Sequence, residues 1–259
     1  MGTSKSNIGP KGISSPIPPW SDKESDNMEH TSNIDSQDDQ EELQPWGDVK
    51  RSYSAFIKTP TFEVYKKLTG KYRKANGGNK TLAKSALGGK KGIRKLLNFL
   101  TAVAEKGFVE TCKEFLIGDL TGVSTEEAIY KLCNIFDDID GTDEGSAAKA
   151  AVTETMYKLY DNYSGSPEDI DKMTTEEISE YLNLFISNYI FERLSIEVTK
   201  ALEDNKFTKA QVIKANDTLK DFIHGEVKLT FTDADFATLN FQQQNATINE
   251  ILTLAYSMI

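Results

Sequence analysis

The residues with chemical potential in this sequence fall at a few separate places. At the front, Met1-Gly2-Thr3-Ser4 sets a glycine behind the initiator that is small enough for Met1 to be removed, exposing a glycine α-amine. Such an amine has a pKa of about 7.7 to 8, so a useful fraction is uncharged and nucleophilic near neutral pH. Asp138-Ile139-Asp140-Gly141-Thr142 has the DxDGT spacing of phosphatases that use an aspartate nucleophile. That chemistry needs its first aspartate at the end of a buried parallel strand in a doubly wound sheet. Here Ile129, Leu132, Cys133 and Phe136 precede it at helical spacing. A calcium loop fails as well, because placing Gly141 at its sixth position puts Phe136 at the first, where a carboxylate belongs. The string therefore reads as an acidic loop before a helix that starts near Gly145.

Gly88-Gly89-Lys90-Lys91 resembles a phosphate loop only faintly, since no Ser or Thr follows the lysines and no strand leads in. His224 sits near Phe222 and Ile223 on an expected helix, where it reads as a packed histidine rather than a base, and His30 lies in a polar segment. Cys112 and Cys133 lack CxxC pairing and stand among apolar neighbours, which predicts buried free thiols in a reducing compartment. No catalytic set, metal site or cofactor is expected. The Met1-Gly2-x-x-x-Ser6 string also fits the loose signature of N-myristoylation, a single acyl chain that gives marginal membrane affinity.

Charge is the strongest compositional signal. The formal net charge is −10, which argues against a simple nucleic-acid coat. No acid stands between Glu63 and Glu105, while Lys66, Lys67, Lys71, Arg73, Lys74, Lys80, Lys84, Lys90, Lys91, Arg94 and Lys95 bring eleven bases. Such a segment attracts phosphate backbones or an acidic partner, unless acidic residues of the same chain lie across it.

The elements that must position these groups begin after a long front. Residues 1–20 are rich in Gly, Ser and Pro and read as an extended, accessible tail that ends at Pro18-Pro19-Trp20. Residues 21–47 follow as an acidic disordered linker, with nine acids against the single base Lys23 before Gln44. Tail and linker together, stretched at about 3.3 Å per residue, let the terminus reach a partner held on the body. Trp46 is expected to pack on the body as the chain enters it, and Trp20 is a possible anchor in a partner's groove.

Residues 48–227 form the expected helical domain, with its folded part starting near Val49. Phe62, Tyr65, Leu68 and Tyr72 make one helical stripe, and Ile93, Leu96, Leu97, Leu100, Val103 and Ala104 make another. Gly77-Gly78 and Gly88-Gly89 are expected to interrupt the helices there. Capping-box spacings occur at Ser124/Glu127, Thr174/Glu177 and Thr208/Gln211. The helix after Thr174 is apolar on more than one face, from Ile178 through Leu202, and should run through the centre of a bundle. Val227 to Phe231 suits a short strand without an evident partner, and residues 228–259 read as a C-terminal helical extension that docks on the body. The fold class is all-α, a helical bundle behind a long disordered N-terminal tail and acidic linker. With no basic n-region before an apolar run and no apolar stretch of about 20 residues, a cytoplasmic protein is expected.

In order along the chain, Gly2-Thr3-Ser4, Pro10, Pro18-Pro19-Trp20, Ile93 to Leu100, Gly141-Thr142-Asp143-Glu144-Gly145 and Asp221-Phe222-Ile223-His224-Gly225 resemble the QatB family of the bacterial Qat anti-phage defence system. The resemblance runs over roughly residues 1–227; the linker here is acidic where the family's is often proline-rich, and the basic segment favours lysine over arginine. It implies a non-enzymatic component with three neighbours: the ATPase QatA, the QueC-like enzyme QatC and the TatD-like nuclease QatD. QueC-type enzymes activate a deazaguanine carboxylate with ATP and pass it to an amine. The resemblance thus implies that Gly2 takes the deazaguanine on its amine, with Thr3, Ser4, Pro19 and Trp20 as recognition context. The alternative is a nucleic-acid-binding module built on Lys71, Arg73, Lys74, Lys80, Lys84, Lys90, Lys91, Arg94 and Lys95.

Overall fold

The computed structural model describes residues 44–120, 122–163, 173–199, 207–227 and 241–259. All belong to one compact unit that spans Asp39–Ile259. Ten α-helices and no strand occur among the described residues: α1 (Gln44–Lys58), α2 (Phe62–Ala75), α3 (Asn79–Ser85), α4 (Leu87–Lys106), α5 (Phe108–Glu114), α6 (Thr125–Cys133), α7 (Asp143–Tyr163), α8 (Thr175–Thr199), α9 (Lys209–Glu226) and α10 (Phe241–Met258). A short 3₁₀ turn, Asn134–Phe136, follows α6. The expected all-α bundle is what the chain builds.

Helix starts follow the expected capping. The Thr174 N–H donates to Glu177 Oε2 at 2.7 Å while the Glu177 N–H donates to Thr174 Oγ1 at 3.2 Å. Thr208 and Gln211 form the same reciprocal pair at the head of α9. At α6, Ser124 Oγ accepts the Glu127 N–H, and the Glu127 carboxylate pairs with Lys131 at 2.9 Å. These contacts satisfy first-turn amides that have no partner within the helix.

α8 is the centre. It buries Tyr181, Phe185, Asn188, Tyr189, Arg193 and Val198 among others, on more than one face, and it packs against α7, α4, α9, α10 and α1. α1 and α2 form a hairpin whose inner face carries Val49, Tyr53, Phe56, Tyr65, Leu68 and Tyr72. Trp46 stacks edge-on to Tyr72 at 6.3 Å, so it does pack where the chain enters the body.

Several boundaries differ from the sequence reading. α1 starts at Gln44, so residues 44–47 are helical rather than linker; Pro45 is tolerated because first-turn amides lack helical acceptors anyway. Gly77 and Gly78 do break the chain between α2 and α3, with φ of 74° and 93°. Gly88 and Gly89 do not break it; they lie in the first turn of α4. Ala104 is exposed and lies off the buried stripe. Val227 is a buried residue just past α9 and outside any strand, while residues 228–231 and Leu202 lie outside the described residues.

α10 is part of the core. Ile248, Leu252, Ala255, Tyr256 and Ile259 are buried. Thr69 Oγ1 donates to the Ile259 carbonyl at 2.5 Å, and Arg73 donates to the Ser257 carbonyl at 3.1 Å. No described helix is long and apolar enough to cross a membrane.

Candidate functional site

The motifs singled out by sequence meet at the head of α4. The backbone N–H groups of Gly88 and Gly89 donate to the two carboxylate oxygens of Glu144, at 2.7 and 2.9 Å. A helix N-terminus favours an anion, and here a side chain of α7, 55 residues away in sequence, supplies it. The phosphate-loop likeness of Gly88-Gly89-Lys90-Lys91 is thereby accounted for: its amides already hold a carboxylate.

The glycines serve close approach as well. A Cβ at Gly89 would lie 2.6 Å from the Tyr189 ring, and one at Gly92 would lie 2.4 Å from the Phe185 ring. Those two rings are buried and stack on each other along α8 at 6.3 Å. α4 can therefore lie against α8 at this depth only with glycine at both positions.

The acidic string builds the other half of the junction. Asp140 Oδ1 accepts from the Thr142 backbone N–H at 3.1 Å and from its hydroxyl at 2.5 Å, and Thr142 Oγ1 accepts the Gly145 N–H at 3.1 Å. These bonds hold the Asp140 carboxyl below its usual range. A Cβ at Gly145 would come within 2.2 Å of the Asp140 carbonyl oxygen. Asp140-Gly141-Thr142 is thus the start of α7, as expected for a helix-entry loop, and it aims Glu144 back at α4.

From Glu144 the network runs inward. The Tyr189 hydroxyl donates to Glu144 Oε1 at 2.6 Å, and Arg193 lies one turn on with Nη1 3.4 Å from that hydroxyl. Arg193 also donates to the Leu82 carbonyl at 3.1 Å, Ser85 Oγ at 2.9 Å, the Tyr256 hydroxyl at 3.3 Å and Glu197 at 3.0 Å. A guanidinium with this many acceptors can be held in a core. The sequence reading quoted Glu144 within its motif but gave it no role, and it passed over Arg193. The signal for Arg193 is its i,i+4 ladder Tyr189-Arg193-Glu197 inside an otherwise apolar stripe; Glu144 has none, because its partners are remote.

The basic segment divides in two. Lys66 pairs with Glu226, Lys67 with Glu63 at 2.7 Å, and Lys71 with Asp48 at 3.3 Å. Lys91 and Lys95 share Asp138 at 3.0 and 2.6 Å. Partial burial pushes the Asp138 carboxyl up, but the summed hydrogen bonds and charges of Lys95 and Lys91 outweigh it and hold the group low. Arg94 donates to the Asn245 amide oxygen, and Arg73 of α2 to the Ser257 carbonyl of α10. Lys74, Lys80 and Lys84 are exposed, and among the described residues no carboxylate pairs with their ammonium groups. Lys90, Lys91, Arg94, Asp138, Asp140 and Asn245 come together around an open depression of about 360 Å³, with Leu87 and Gly88 at its edge.

His224 ring Nε2 lies 2.9 Å from Asn188 Oδ1, and burial pulls its pKa down, in keeping with a packed histidine. Cys112 is buried, its thiol pushed up to about 12 by burial, and half-buried Cys133 is raised for the same reason. No cluster of three or more metal-ligating side chains occurs among the described residues. Gly2, Thr3, Ser4, Pro19 and Trp20, and the acidic run of residues 21–43 that was the intramolecular alternative for the basic segment, lie outside the described residues.

The family model for the Qat anti-phage system associated protein QatB matches residues 77–259, more than half of the chain. The chain belongs to the QatB family. It is therefore a component of the Qat anti-phage defence system, with other Qat proteins as its partners. The QatB match runs from Gly77, after α1 and α2, to the C-terminus, so it covers α10, which the sequence reading had left outside the resemblance. Among curated proteins and solved structures, none matches the chain.

Proposed function

We propose that this QatB-family chain is a non-enzymatic part of the defence complex, whose body docks partner subunits and whose N-terminus is a protein substrate or recognition peptide for the QueC-like partner QatC. The observation that carries this reading is the fate of the body's chemical motifs. Gly88-Gly89 is occupied by Glu144, Asp140-Gly141-Thr142 starts a helix, and His224 faces Asn188. Each is spent on packing, and in this reading the nucleophile is the Gly2 amine, which lies outside the described residues. An activated deazaguanine carboxylate would take that amine: the amide C–N bond forms, the activating group leaves, and the nitrogen loses a proton. Thr3, Ser4, Pro19 and Trp20 would seat the tail in the enzyme, with QatA and QatD as further partners in the cytoplasm.

Intact mass of the protein from its native operon tests this. A deazaguanine-sized addition on the peptide that starts at Gly2 supports the reading. A fatty-acyl addition supports lipidation instead, and an unmodified Gly2 in cells with active QatC overturns the modification. A second reading, nucleic-acid binding through residues 66–95, is favoured by the exposed Lys74, Lys80 and Lys84. It requires duplex binding whose affinity falls steeply with salt, and absence of binding at low salt removes it.

A further inference from the structure

We propose that the depression at the head of α4, with the lysine strip beside it, is a docking site for an acidic polypeptide segment of a partner protein. Its volume of about 360 Å³ lies at the low end of ligand-sized pockets, about 300–1,000 Å³. That space suits a few side chains of a peptide.

The charges on its walls are unequal once their bonds are counted. Asp138 is paired with Lys91 and Lys95, while Asp140 bonds only neutral Thr142 groups and keeps its charge. Lys90 reaches only a neutral acceptor, the Lys84 carbonyl at 3.2 Å, and its ammonium is held below the usual lysine range by partial burial. A carboxylate beside Lys90 would relieve that cost. The same contact places Lys84 next to the depression, and Lys80 lies one turn back on α3, at the i,i+4 spacing that puts two side chains on one face. Lys80, Lys84 and Lys90 thus form a cationic strip in which no ammonium is ion-paired among the described residues; the Glu144 carboxylate acts on Lys90 only through space, and partial burial outweighs it.

Two features favour a peptide over a phosphodiester chain. Leu87, 67% exposed at the edge of the depression, offers an apolar contact that an aliphatic side chain uses and a phosphate backbone does not. Asp140, whose bonds to neutral Thr142 groups leave its charge in place, also lines the depression, where it repels a continuous row of phosphates but tolerates single carboxylates placed against the strip. The inference holds whether or not Gly2 is modified.

Fluorescence anisotropy of a labelled peptide of alternating glutamate and leucine, titrated with the full-length chain at about 50 mM salt, tests it. Lys80→Glu with Lys84→Glu should weaken binding by about tenfold or more, and Leu87→Ser by about threefold. Lys58→Glu, at an exposed position in α1, should leave binding unchanged. All substituted positions but Lys90 are exposed, so thermal melts should match the parent; Lys90→Gln adds a variant inside the depression, expected to weaken binding about fivefold. The proposal is overturned if the peptide does not bind, if Leu87→Ser and the lysine variants bind it as the parent does, or if a DNA duplex displaces it and binds more tightly.

Discussion

The heads of α9 and α4 solve one problem in two ways. Both leave first-turn amides without helical acceptors. α9 meets this from within four residues, with Thr208 and Gln211 exchanging bonds. α4 begins after Ala86, whose side chain can accept nothing, and takes its anion from Glu144 on another helix. The local cap holds one helix. The remote cap holds a helix, the entry of α7 and the Tyr189-Arg193 network together, so disturbing it should cost more and spread further.

The sharpest way to break the α4 arrangement is steric. Gly92→Ala puts a methyl 2.4 Å from the Phe185 ring, and Gly89→Ala puts one 2.6 Å from the Tyr189 ring. Both rings are fully buried, so neither can swing aside. Each substitution should cost about 3 kcal/mol, the upper part of the overpacking range, read as a lowered midpoint in chemical unfolding. A loss under about 0.5 kcal/mol would mean that α4 does not lie this close to α8.

Glu144→Ala comes next. It strips the Gly88 and Gly89 amides and the Tyr189 hydroxyl of their acceptor, which should cost about 2–3 kcal/mol. Glu144→Gln keeps one acceptor oxygen, enough for Gly89 and Tyr189, but turns an NH2 donor toward the Gly88 amide and removes the charge, so it should recover less than half of that. In a double-mutant cycle with Tyr189→Phe, a coupling of about 1 kcal/mol is expected, since the two side chains share a hydrogen bond.

The contrast also explains what could be read in advance. Thr174, Thr208 and Ser124 announced helix starts because cap and amide lie three residues apart, and α8 announced its central place through apolar residues on more than one face. Gly88-Gly89 was misread as a break because glycine marks both broken chain and close contact, and only what lies across the gap, Gly145 and Ala148 at Gly88 and the Tyr189 ring at Gly89, distinguishes them. The eleven bases were legible as a segment. Their division was not, since Asp48, Glu226 and Asp138 reach them from other elements.

At the local cap the expected loss is smaller. Thr208→Ala should cost about 1 kcal/mol, and hydrogen exchange should speed up in the first turn of α9 while α4 and α8 keep their protection. Exchange that accelerates at Gly88 and Gly89 as well would erase the distinction between the two heads.

The smallest effect belongs to the other end of α9, where His224 meets Asn188 of α8. Burial lowers its pKa first, and the Lys220 charge lowers it further, against the raising pull of Asp221 and Glu154. The unfolded chain, with an ordinary histidine pKa of about 6.5, therefore binds more protons than the folded one as pH falls below that value. Stability should be fully present above about pH 6.5 and decline as the pH drops toward the folded-state value. His224→Gln should flatten that part of the profile in urea midpoints taken across the range, while the acid limb set by Asp138 and Asp140, whose folded pKa values are lowered, stays. If the His224→Gln profile keeps its slope just below pH 6.5, the titration belongs elsewhere and the α8–α9 contact is electrostatically neutral, as a purely packed joint would be.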